Sequence, residues 1–377
     1  MSAFPAPYLV ISSAHDYRSK KRANIHFITD ALASRGETMF LSTHSSALSR
    51  LKGRDTRHQQ FSDMGLTANG VSCYLWHSLL HPVNVASAAG RWWNPVASAV
   101  YRRRMPPIVR AMIRKAATIV VESGSAVALL SEIRWLNPEA KIIYNASDTL
   151  GTIGLGRYYD DQLAAAAAGI AYARLPSALM IPDHRSIAEH RVIAHGLDDA
   201  FFTGGLPDPY EGKRAAISVG SMLFDPHVFD VAAQAFPDLQ FTVIGSGHQG
   251  TDRANLRWLP EMPFRDTIPY IRHATLGIAP YRSALASDYL IDTSMKLLQF
   301  EAAGLPAVCP DFVQGGKPTR HGYRVGDAAS IVAAMRAALD APKAALAPPR
   351  TWDRVVDEML APSPLSAGGA PVTGASA

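Results

Sequence analysis

The chain has 377 residues, 48% hydrophobic and 18% charged, a balance that suits two soluble domains with real cores and excludes a disordered chain. Its two cysteines, Cys73 and Cys309, lie far apart, which excludes a disulfide framework or a zinc-finger spacing and points to a reducing compartment. The net charge is +5, yet residues 1–115 hold 16 Lys/Arg against 5 Asp/Glu, so the N-terminal part is expected to meet an anionic partner: nucleic acid, anionic lipid or a lipid diphosphate.

In chain order, short β-rich runs alternate with amphipathic stretches, the pattern of parallel α/β sheets. Strands are predicted at Tyr8–Ser12, Thr38–Ser42, Ser72–Trp76, Thr118–Glu122, Lys141–Asn145, Gly169–Arg174 and Arg191–Ala194. Helices are predicted over Asn24–Arg35, Pro106–Arg114, Ala126–Leu136 and Ser186–His190. No basic region precedes the first apolar run, and charges follow it at once, which is not the order of a signal peptide. No window reaches the roughly 18 uncharged apolar residues of a spanning helix. The nearest, Leu163–Tyr172, is short and soon meets Arg174. The chain is therefore not expected to cross a membrane, which leaves room for it to lie on one.

The Gly/Pro-rich stretch from Phe202 to Gly212 reads as a linker. A second series follows, with strands at Ala216–Val219, Gln240–Ile244, Leu256–Leu259, Leu276–Ala279 and Ala307–Cys309. Its helices are predicted at Pro226–Phe236, Thr267–His273 and Ser294–Ala303. A last helix, Thr351–Leu360, is expected to pack back on the first half. Residues 362–377, rich in Ala, Gly, Ser and Pro, are expected to be disordered. The fold class is α/β, with Rossmann-like domains at 1–204 and 213–348 facing across a cleft and a returning helix at 349–361. This is the GT-B plan.

Three constellations carry chemistry. In Thr293–Pro310 a polar cap, Ser294, opens a helix with Lys296 in its first turn. A helix N-terminus with a lysine suits a leaving diphosphate; an ordinary βαβ unit with a surface lysine has the same spacing. The strands ending at Gly220 and at Gly245–Gly247 run into glycine turns where a nucleotide can approach the backbone, and Tyr281 falls on the same edge. In the first half, Asp148 follows a strand end, as either a general base for a hydroxyl or a helix N-cap. The loop of His15, Asp16, Arg18, Lys20, Lys21 and Arg22, with Asn24 after it, is either an acceptor or membrane contact or a solvated surface. The segment Arg91–Arg104, RWWNPVASAVYRRR, fits a membrane interface, a stacking surface for single-stranded nucleic acid, or a helix with tryptophans in the core. There is no metal-binding spacing, no Walker loop and no nucleophile elbow in the sequence.

Specific strings sharpen this reading. ANIHFIT (Ala23–Thr29), YLW (Tyr74–Trp76), ESG (Glu122–Gly124), ASD (Ala146–Asp148), VGSMLFDP (Val219–Pro226), VIGSG (Val243–Gly247), GIAPY (Gly277–Tyr281), SMKLLQ (Ser294–Gln299) and GLPAVCP (Gly304–Pro310) occur in this order. Together they resemble the GumK-like glucuronosyltransferases of xanthan- and acetan-type exopolysaccharide assembly. The resemblance implies an inverting, metal-independent GT-B transferase with no cofactor. It would move glucuronic acid from UDP-glucuronate to a mannose of a polyprenyl-diphosphate-linked oligosaccharide. Its place would be peripheral, on the anionic cytoplasmic face of the bacterial inner membrane, with no nucleic-acid partner. By the same resemblance Asp148 is the base. Met222, Glu261, Met262, Tyr281, Ser294, Met295, Lys296 and Gln299 would hold the nucleotide sugar, with Lys296 on the diphosphate and Glu261 near the ribose or base.

Overall fold

In the computed structural model, the described residues are 3–19, 22–47, 57–78, 90–248, 250, 253–282, 288–345 and 350–362. Lys20, Lys21 and all but the first residue of the tail 362–377 lie outside them.

The first half forms an eight-stranded sheet in the order β3-β4-β2-β1-β5-β6-β7-β8. Its strands are β1 (Tyr8–Ser12), β2 (Thr38–Ser46), β3 (Met64–Leu66), β4 (Ser72–Ser78), β5 (Thr118–Glu122), β6 (Lys141–Asn145), β7 (Tyr172–Leu175) and β8 (His190–Val192). Every pairing is parallel except β3 with β4. The second half forms a six-stranded parallel sheet in the order β11-β10-β9-β12-β13-β14. These are β9 (Ala215–Val219), β10 (Gln240–Ile244), β11 (Leu256–Leu259), β12 (Leu276–Ile278), β13 (Ala307–Pro310) and β14 (Arg320–Tyr323). Central strands such as YLVIS and TIVVE are buried along their whole length, as strands covered by helices on both faces must be.

The chain order reverses between β1 and β5 in one sheet and between β9 and β12 in the other. At such switch points the loops leave in opposite directions and open a crevice at the carboxyl ends of the strands. These two crevices carry the residues singled out above.

The final helix, Trp352–Leu360, packs against the helix Asn24–Ala33 of the first half. Trp352 stacks on Phe27 at 5.7 Å, and Arg35 binds both Asp353 and Asp357. The Tyr172 hydroxyl donates to the Met359 carbonyl at 2.6 Å. Where the chain returns, a Cβ on Gly196 would meet the Thr351 carbonyl carbon at 2.7 Å, so only glycine lets the two segments pass this closely.

Some expectations are corrected. Ser186–His190 is not helical. Ser177 instead caps a 3₁₀ helix at Ala178–His184, accepting from the Leu179 amide at 3.1 Å, and β8 begins at His190. The strand expected at Gly169–Arg174 begins only at Tyr172, because a helix over Arg157–Ala166 continues as a 3₁₀ turn through Gly169. The helix expected from Ala126 is 3₁₀ over Ser125–Leu129 and α-helical only from Leu130 to Leu136. β3, β14 and the helix Ala328–Asp340 were not anticipated.

Candidate active site

The Asp148 side is built on the β1/β5 switch point. Ser12 ends β1, and its hydroxyl donates to Glu122, which ends β5. The same Ser12 oxygen accepts the His15 amide at 3.0 Å and so folds the His15 turn over the crevice. Just past the end of β6, the Ser147 hydroxyl lies within reach of two acceptors, Asn24 Oδ1 at 3.0 Å and Glu122 Oε1 at 3.3 Å. Asp148 follows. Its amide donates to Ser123 Oγ at 3.1 Å, and its Oδ1 accepts from the Tyr289 hydroxyl at 3.3 Å. Tyr289 comes from the second half of the chain, just before the short helix Leu290–Thr293.

The electrostatics follow from this packing. Burial pushes the Asp148 carboxyl up to about 6; Glu122 adds to the shift and the Tyr289 hydrogen bond opposes it. Burial also raises Glu122, against the nearby His15 and the hydroxyls of Ser12 and Ser147. A half-buried carboxylate raised to about 6 is ionised at neutral pH and basic enough to take a hydroxyl proton as its oxygen attacks. Asp148 caps no helix: the next one along the chain begins only at Arg157.

The Lys296 side is built on the β9/β12 switch point. Ser294 caps the helix Met295–Ala302, its Oγ accepting the Leu297 amide at 3.2 Å. The Tyr281 hydroxyl meets that Oγ at 2.6 Å. Lys296 is only 7% exposed. Its Nζ donates to the Gly220 carbonyl at 3.3 Å and lies over the rings of Tyr281 and Phe224. Gly220 turns with φ +92°, a conformation that favours glycine and aims its carbonyl at the lysine. Burial alone lowers Lys296 to about 7, and among the described residues no carboxylate accompanies it. A buried cation at a helix N-terminus with no counter-charge is a built anion site.

Beside it lie two adjoining cavities of about 470 and 440 Å³ that share Ser221, Gly247 and His248. The first reaches Phe224 and Arg282, the second Trp258 and Glu261. Met222 is half-exposed beside them, and Glu261 is exposed. Met262 and Met295 pack on the apolar cluster under the helix, and Gln299 is buried one turn beyond Lys296. The predicted nucleotide-side residues thus gather at one sheet edge.

The acceptor-side loop divides. His15 and Asn24 join the Asp148 crevice through Glu122 and Ser147. Asp16 is fully buried and its oxygens are taken by Arg18 and Ser42. Arg18 also donates to the Ser62 carbonyl, and Arg22 is bound to Asp30 across the rings of Tyr17 and Phe27. These three side chains organise the loop itself. Glu122 and Tyr289 were not singled out as site residues. ESG marked only the string, and nothing in DYLIDT signals a tyrosine that crosses to the other half.

Residues 11–176 match the family described as glucuronosyltransferase GumK, N-terminal domain. The chain is 41% identical over 369 residues to the UDP-glucuronate:glycolipid 2-beta-glucuronosyltransferase of Xanthomonas campestris pv. campestris, covering 96% of this chain and 91% of that one. Among solved structures it resembles an α,α-trehalose-phosphate synthase (UDP-forming) from Burkholderia xenovorans, with TM-score 0.59, 11% identity and coverage of 94% and 96%. It also resembles a sucrose-phosphate synthase from Thermosynechococcus elongatus, with TM-score 0.55, 12% identity and 94% of each chain covered. At these identities the structural likeness speaks for the fold alone, and the fold is GT-B. The chain belongs to the GumK family of glucuronosyltransferases.

Proposed function

We propose that this protein transfers glucuronic acid from UDP-glucuronate to a sugar hydroxyl, a mannose by the family resemblance, on a polyprenyl-diphosphate-linked oligosaccharide, inverting the anomeric centre. The observation that carries this reading is that the segment whose Tyr289 hydroxyl donates to Asp148 runs directly into Ser294, the cap of the helix that holds the buried Lys296. Asp148 accepts the proton of the acceptor hydroxyl. That oxygen bonds to the anomeric carbon as the bond to the β-phosphate oxygen breaks, and UDP leaves with the electron pair. Lys296 and the amides at the start of its helix take the charge that develops, so a metal is not required for that task. Met222, Glu261, Met262, Met295 and Gln299 hold the nucleotide. The relative's name specifies a β linkage. A nucleoside-diphosphate glucuronate is α-linked, so a β product is an inverted one.

The acceptor places the enzyme at a membrane. The helix Gly90–Arg103 packs Tyr101 on Trp76 at 4.0 Å but leaves Trp92 77% and Trp93 47% exposed, with Val96 and Val100 beside them and Arg102 and Arg103 in its last turn. Exposed tryptophans with arginines suit the headgroup region of an anionic bilayer, and we place this face on the cytoplasmic side. Trp92→Ser/Trp93→Ser is expected to lose flotation with anionic vesicles; retained flotation removes the helix from this role.

The donor is tested by competition. With UDP-glucuronate, UDP-glucose and GDP-mannose supplied together, only glucuronic acid should appear in the product, and NMR should show it β-linked. Preferential transfer of glucose or mannose, or an α-linked product, contradicts the proposal.

A further inference from the structure

Tyr289 belongs by chain position to the second half, yet its ring is 4% exposed inside an apolar cluster whose other buried members all come from the first half, among them Leu150 and Tyr144. Its hydroxyl is held in one sense. It accepts the Thr149 amide at 3.3 Å, an N–H that can only donate. The hydroxyls of Thr149 and Thr152 also reach the phenol oxygen. The phenolic proton is therefore left for Asp148 Oδ1, 3.3 Å away. A second tie lies three residues on, where Ser177 Oγ donates to Asp292 Oδ2 at 2.6 Å. Between them, the Ile291 carbonyl accepts from Arg320 at 2.8 Å, anchoring the segment to its own half. The segment then runs directly into Ser294, the cap of the Lys296 helix.

We infer that Tyr289 is a positioning residue for Asp148: from the nucleotide-binding half it holds Oδ1 in place, so that Oδ2 is presented to the acceptor hydroxyl only where the two halves meet. This rests on the proposed role of Asp148 as base. It ties the state of the base to the segment that begins the diphosphate site, so that proton acceptance and leaving-group binding are aligned by one stretch of six residues, Tyr289 to Ser294. Among the described residues, the other titratable groups that act on Asp148 are Glu122 from β5 and Tyr144 from β6, both of the first half.

Y289F tests this, because it keeps the ring and its packing and removes only the hydroxyl. The Asp148 carboxyl is followed by ¹³C NMR titration in the full-length wild type and in Y289F, with D148N to assign the signal. The pH profile of kcat/KM is measured alongside. Losing a donor to the ionised form should raise the carboxyl titration and the acid limb of the profile together by about 0.5–1 pH unit, with UDP affinity changed less than about twofold. An unmoved titration overturns the inference, whatever happens to the rate, since ring packing alone leaves it in place. A moved titration with an unmoved acid limb also overturns the positioning role, and it does so by showing that Asp148 is not the base. The NMR arm needs no turnover, so the two failures are distinguished.

Discussion

The Tyr281 hydroxyl meets Ser294 Oγ at 2.6 Å where the helix carrying Lys296 begins, and the same Oγ accepts the Leu297 amide. One serine thus caps the helix and anchors the strand-end tyrosine. Ser294→Ala should cost about 1–2 kcal/mol of stability, as loss of a helix cap does, and should weaken UDP binding by loosening the first turn. Urea unfolding and calorimetry read both. Unchanged stability would show that the cap contributes nothing.

Lys296 is expected to trade stability for anion binding. Lys296→Met removes a buried cation that has no carboxylate partner among the described residues, so melting temperature should hold or rise. UDP affinity should fall roughly 10- to 100-fold with the loss of a charge-assisted bond. In the empty site Lys296 titrates near 7, and the diphosphate favours its charged form, so above about pH 7 UDP binding must take up a proton. Affinity therefore falls as pH rises through this range. Asp148 must be ionised, so its contribution to rate grows as pH rises through about 6. The product is a bell-shaped kcat/KM profile with a narrow optimum between these limbs. Calorimetry of UDP binding at pH 8 in buffers of different ionisation enthalpy checks the uptake; buffer-independent heats would contradict it.

Acid should destabilise the fold before carboxylates titrate. Burial, aided by the nearby His15, lowers His26 to about 3, against its hydrogen bonds with the Asp16 carbonyl at Nε2 and the Ala23 amide at Nδ1. Burial, with the buried Arg174 beside it, lowers His195 well below its ordinary value, and burial lowers His184 as well. These groups stay neutral in the folded chain while the unfolded chain protonates below about 6.5. Stability is thus full above that pH and declines as pH falls from there toward the folded values, at up to about 1.4 kcal/mol per pH unit for each histidine. Urea midpoints between pH 7 and 5 measure the slope, and a flat profile would contradict it. His26→Gln should reduce it.

The fold was largely legible because the central strands are continuous apolar runs and the turns after them carry glycine. β14 was hidden because RHGY is polar: its Arg320 is buried against the carbonyls of Ile291 and Val313 and the carboxylate of Glu301, partners that sequence does not reveal. The helix Ala328–Asp340 had a readable start in Asp327, whose side chain accepts the Ser330 amide, and an apolar stripe. The nucleotide edge was legible through local spacing, since Ser294 and Lys296 lie on one helix turn. The base side was only half legible. Asp148 stands at a strand end, but Glu122 and Tyr289 reach it through the switch-point topology and a crossing between halves, and neither relation is written in local sequence. Asp16, Arg18 and Arg22 looked like a surface for an anion because charge was visible and pairing was not.

The central claim is that Asp148 and Lys296 together carry a glucuronosyl transfer to a lipid-linked sugar without a metal. The most direct measurement is transfer of label from radioactive UDP-glucuronate into polyprenyl-linked oligosaccharide, with EDTA present, by the wild type and by Asp148→Ala. Label in the lipid fraction that disappears in Asp148→Ala, while that variant still binds UDP, is the predicted result. Near-wild-type transfer by Asp148→Ala, or loss of wild-type transfer on adding EDTA, would contradict it.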